Sequence, residues 1–128
     1  MTGELNKDVM SIVLDTLPVE ISFVDADDTV QYFNKNGDRI FPRLPTVIGK
    51  KVQNCHPPKS LHKVEQILND FKNNKRNTAE FWIDLRGMKV YIRYFAVRDK
   101  DGKYLGCLEV SQNITDILKI KGEKRLLD

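Results

Sequence analysis

Leu5, Val9, Ile12, Val13 and Leu17 recur at helical spacing, Asn6 stands where a capping side chain would, and Pro18 stops the pattern. The spacing predicts an amphipathic helix at the start of the chain. Ile21, Phe23 and Val24 then form a short strand, Asp25 to Asp28 a turn, and Thr29 to Phe33 a second strand, which together make a β-hairpin. The four-residue turn is rich in aspartate, but it lacks the glycine and distal glutamate of an EF-hand loop. It reads as a solvated turn.

Between Asn34 and Val52 the pattern is irregular, because Gly37, Pro42, Pro45 and Gly49 break any long element into single helical turns. Such a stretch can wrap a cavity. Pro58 suits the first turn of a helix running to about Lys72, with Leu61, Val64, Leu68 and Phe71 on one face and Ile67 beside them. Three strands follow, Ala79 to Leu85, Lys89 to Arg98 and Tyr104 to Gln112, with turns at Arg86-Gly87 and Lys100 to Lys103. The middle strand is apolar on both faces apart from Arg93, so its sheet is expected to be covered on both sides. The central helices would take one face, and the N-terminal helix or a partner subunit the other. Thr115 is placed to cap a last helix from Asp116 to Lys121.

The order of two strands, helices and three strands predicts an α+β fold, divided into an N-terminal helix at 1–18, a core at 19–114 and a helical tail at 115–128. A chain of 128 residues that is 41% hydrophobic and 30% charged fits one globular domain with room for a small ligand. The longest apolar runs are far too short to cross a bilayer, and the N-terminus does not look like a secretory signal. A cytoplasmic location is expected. Net charge is +3, with 21 basic residues interspersed among 18 acidic ones, which argues against a nucleic-acid partner. Cys55 and Cys107 read as free thiols.

"LPVEISFVDADDTVQYFN" (residues 17–34), "VIGKKV" (47–52) and "RYFAVRDKDGKYLGCLEVSQNIT" (93–115) resemble, in order and spacing, the opening hairpin, glycine step and closing strands of a PAS domain. "RIFPR", "KVQNCHPPKS", "AEFWI" and the ending "GEKRLLD" are similar to the C-terminal PAS domain of bacterial proteins that carry a hemerythrin-like domain upstream. The resemblance implies a five-stranded antiparallel sheet of order 2-1-5-4-3, with helices wrapping a central pocket. The chain departs from the usual Asp-Ile-Thr exit motif with Asn113-Ile114-Thr115, so a charge pair at that position is not expected.

Both histidines and one cysteine fall within "KVQNCHPPKSLH", residues 51–62. Iron-bearing PAS domains commonly take a histidine from the long helix, yet His62 lies roughly 160° from the apolar face at about 100° per residue and should meet solvent. His56 precedes the helix, where Pro57 and Pro58 stiffen the backbone and could aim its ring inward, making it the one candidate ligand for haem iron or another metal. The alternative is a stiff helix entry with no metal. Asn54-Cys55 is similar to the reactive cysteine of flavin light sensors, but the residues that follow and the strand that would hold the flavin ring do not match. Flavin is not expected.

Arg93 needs a partner, either Glu80 or Glu109 on neighbouring strands or a ligand carboxylate. Trp82 and Tyr94 could stack on a planar cofactor or belong to core and interface. The candidate binding set is therefore His56, Cys55, Leu68, Trp82, Arg93 and Tyr94, with His56 as the metal candidate. No hydrolase constellation, phosphate loop or HExxH pattern is present, which points away from an enzyme. Two functions remain: a sensory module that binds a small molecule and signals through dimerisation or an attached domain, and a ligand-free homodimerisation module.

Overall fold

The computed structural model describes residues 2–35 and 37–127. Met1, Asn36 and Asp128, which belong to the predicted N-terminal, irregular and tail segments, lie outside the described residues. Helix α1 spans Lys7–Thr16, and the Asn6 side chain accepts a hydrogen bond from the Val9 amide as its cap. Strands β1 (Glu20–Asp25) and β2 (Val30–Phe33) form the hairpin. Asp25 Oδ1 accepts from the Asp27 and Thr29 amides, which closes the turn between them.

The irregular stretch contains two single 3-10 turns, Pro45–Val47 and Val52–Cys55. It runs back along β2, where the Val30 amide donates to the Lys50 carbonyl and the Gly49 amide donates to the Val30 carbonyl. Helix α2 (Pro58–Lys72) follows, with proline in its first turn. Val64, Leu68 and Phe71 form its buried stripe, and His62 faces solvent as its angular position predicted. Lys72 pairs with Asp28 at 2.9 Å and ties the end of α2 to the first hairpin.

Strands β3 (Thr78–Leu85), β4 (Met88–Arg98) and β5 (Tyr104–Asn113) complete a five-stranded antiparallel sheet of order β2-β1-β5-β4-β3. Arg86 and Gly87 both have positive φ, as a two-residue hairpin turn requires. Gly106 packs so closely against β1 that a Cβ there would lie 2.2 Å from the Val24 carbonyl oxygen. No other residue fits.

Alternation along the strands gives the sheet two different faces. Val24, Val90, Ile92, Tyr94 and Cys107 point inward and pack with Val64, Leu68 and Phe71 of α2 as the core. Tyr91, Arg93, Phe95, Leu108 and Val110 point outward. Cover on this outer face is partial among the described residues: Val110 and its β1 partner Ile21 are buried, but Trp82 is exposed and α1 buries none of its own residues. An amphipathic helix this short has too little apolar area to dock firmly without further contacts.

The predicted last helix is also corrected. Residues 117–119 form one 3-10 turn, and Gly122 has positive φ. Thr115 does not cap it, because its hydroxyl oxygen accepts the Lys89 amide at 3.0 Å. The six residues from Asp116 to Lys121 before Gly122 are too few to nucleate a stable α-helix.

A cavity between the long helix and the inner sheet face

A cavity of about 440 Å³ opens between α2, the inner face of β3 and β4, and two loops. That is ample for a small organic molecule. Phe81 and Ile83 of β3 and Ile92 and Tyr94 of β4 form its floor, while Ser60 and Val64 of α2 form one wall. The opposite wall comes from Phe41-Pro42-Arg43 and Cys55-His56-Pro57. Glu109 of β5, directly across from Tyr94 in the β4–β5 register, lines the same space.

The polar groups gather around Arg43 and Glu109. Arg43 Nη2 donates to Glu109 Oε2 at 3.1 Å, and both side chains are nearly enclosed. Burial raises the Glu109 carboxyl above its ordinary range, and the nearby Arg43 and Arg39 guanidinium groups oppose that rise. A second pair stands behind it: Arg39 Nη2 lies 3.8 Å from Glu20 Oε1, whose carboxylate also accepts the Ile40 and Phe41 amides. The loop carrying Phe41 to Arg43 is thereby fastened to β1.

His56 has an extended backbone, as the following proline requires. Burial, with a smaller contribution from the adjacent Arg43 charge, holds its pKa below the usual 6.5, so the ring is neutral at pH 7. Its Nε2 is buried and has no partner among the described residues, and the same is true of Arg43 Nε. Both nitrogens belong to residues that line the cavity.

The structure brings His56, Cys55 and Tyr94 together in the lining of one cavity. Leu68 lies one turn further along α2, in the core beside Tyr94, Cys107 and Glu109. Trp82 and Arg93 are corrected, because strand alternation turns both to the outer face, where Trp82 is exposed beside Tyr91, Ile114 and Leu118. Neither expected ion pair of Arg93 forms. Glu109 points inward to Arg43, while Glu80, opposite Arg93, accepts a hydrogen bond from the Tyr91 hydroxyl instead. Arg93 stacks over the Tyr91 ring at 4.8 Å and lies 5.8 Å from Phe95.

Sequence reasoning did not place Arg43 in the site, since nothing marks one arginine in a proline-flanked loop. Glu109 was legible in principle, because it shares a strand face with the buried Cys107 two residues earlier. Among the described residues no group of three His, Cys, Asp or Glu side chains could hold a metal ion. His56 would be the residue to hold the iron of a haem, were one bound. The neutral ring and unpartnered Nε2 suit that role, but Cys55 does not share it, because its thiol donates to the Lys51 carbonyl at 3.8 Å.

The family model described as "PAS domain" matches residues 10–115. The chain belongs to the PAS family. Among solved PAS-like structures, the C-terminal domain of a protein from Streptococcus mutans is 35% identical, with a TM-score of 0.88 over 94% of each chain. The PAS domain of BvgS from Bordetella pertussis is 19% identical at a TM-score of 0.63, covering 88% of this chain and 90% of that one. A sensory box sensor histidine kinase from Vibrio cholerae is 15% identical at 0.59, over 85% of this chain and 91% of that one. These two share the PAS fold. No curated protein matches this PAS domain. Among its described residues no helix is long and apolar enough to cross a membrane.

Proposed function

We propose that this PAS domain is a sensory or regulatory module that binds a small molecule in the cavity between α2 and the inner sheet face. One observation carries the reading: a mainly apolar space of about 440 Å³ is lined by His56 and Arg43, whose Nε2 and Nε are buried and have no partner among the described residues. Buried polar atoms ordinarily find partners, and a ligand would supply them. Occupancy would move α2 and the Tyr94–Glu109 pair of strands, and the change would reach the outer sheet face and the terminal segments. In the parent protein the module would report to an attached domain, of hemerythrin-like type on the resemblance above. The Streptococcus mutans homologue is itself a C-terminal domain.

Native mass spectrometry of the purified protein, beside an Ile83→Trp variant that fills the cavity, tests the reading. A co-purifying small molecule lost in the variant supports it, and equal occupancy of both proteins refutes it. Haemin titration followed by absorption distinguishes the cofactor: a sharp, saturable Soret band lost in His56→Ala would make this a haem-based sensor.

A second reading rests on a different observation. The outer face exposes Trp82 beside the half-buried Tyr91 and Phe95, and α1 leaves Val9, Ile12 and Val13 exposed. We propose that a second copy covers both, each α1 lying on the other's sheet, which is a self-complementary two-fold arrangement. Analytical ultracentrifugation should find a dimer that Ile12→Glu converts to a folded monomer. A monomeric wild type would refute it.

A further inference from the structure

We infer that the cavity takes an uncharged, mainly apolar molecule ending in a carbonyl-type oxygen, such as an amide, lactone or ketone; this rests on the ligand-binding reading above. The donor chemistry sets the head group. Arg43 Nη2 is committed to Glu109 at 3.1 Å, whereas Arg43 Nε, which always carries its hydrogen and never accepts, is buried without an acceptor. An oxygen with two lone pairs placed there can take the Arg43 hydrogen and, in one tautomer of the neutral ring, the His56 Nε2 hydrogen as well.

The charge balance sets the rest. Arg39 and Arg43 are matched by Glu20 and Glu109, so the polar end of the cavity is electrically balanced before anything binds. A carboxylate would add an uncompensated charge beside the Glu109 carboxylate, and an ammonium would meet the Arg43 guanidinium. Neither suits the Arg43–Glu109 end of the cavity. The remaining surface is mostly apolar, from Pro42, Val64, Phe81, Ile83 and Ile92, with the Tyr94 and Ser60 hydroxyls beside it, and suits an aliphatic or aromatic body.

Three probes of one shape separate these terms: 4-phenylbutanamide, 4-phenylbutanoate and butylbenzene, titrated into the full chain by NMR near neutral pH. The amide should bind at least roughly tenfold tighter than the other two, with shifts at the Arg43 Nε–H and the His56 ring. Arg43→Lys, which keeps the charge opposite Glu109 but loses the directed Nε–H, should remove the amide's advantage over butylbenzene. If the carboxylate or the hydrocarbon binds as tightly as the amide, the inference is overturned and the cavity remains a ligand site. If no probe shifts any cavity resonance, the inference and the ligand-binding reading fall together.

Discussion

Arg43 and Glu109 are 66 residues apart in the chain, and their side chains meet at 3.1 Å in the wall of the cavity. Removing one member of an enclosed ion pair leaves the other charge buried and alone, which is costlier than removing both. Arg43→Met should cost about 3–5 kcal/mol in urea unfolding, and the Arg43→Met/Glu109→Gln double variant should recover at least half of that. Additive losses in the cycle would show that the two side chains do not act as a pair.

His56 links stability to pH. Its folded pKa lies below the unfolded 6.5, so just below pH 6.5 the unfolded chain binds more protons and stability falls with pH. Glu109 acts in the opposite sense, because its raised value makes its contribution fullest below 4.5 and lost as pH rises through the folded value. Comparison with His56→Gln isolates the histidine. The wild type should lose stability relative to the variant as pH drops from about 8 to about 5, and parallel curves would contradict a neutral, desolvated His56.

Asn34 should prove the anchor of the N-terminal segment. Its side chain is almost wholly buried, accepts the Ile21 amide at 2.7 Å, and donates to the Leu14 and Val19 carbonyls at 2.7 and 3.1 Å. Asn34→Ala leaves a buried amide and two carbonyls without these bonds, and should cost about 1–3 kcal/mol while speeding amide exchange in α1. Unchanged α1 exchange would mean that other contacts hold the helix.

Gly106→Ala should destabilise by about 1–3 kcal/mol, because the new methyl group would meet the Val24 carbonyl and the Phe23 ring. Leu68→Ala should cost about 2–4 kcal/mol through the cavity left in the core. Thermal or urea melts of both variants check these values, and a melt matching the wild type at either position would show its packing to be misjudged.

The sequence by itself determined the element order, the hairpin turns, the buried stripe of α2 and the outward position of His62, because each depends on neighbours within a few residues. A helical period, a capping asparagine, a proline in the first turn and a glycine at positive φ act locally. It also located the His56 entry loop, since Pro57 limits the backbone before it. It could not assign Trp82, Arg93 and Tyr94 to faces, because one residue of strand register exchanges inside for outside and register is decided by pairing between distant segments. Tertiary structure alone brought Arg43 to Glu109, turned Arg93 onto Tyr91, and left α1 and the Trp82 end of the outer sheet face exposed. Those outcomes depend on which charges end up desolvated together and how much apolar area one chain can bury, and these are properties of the packed molecule.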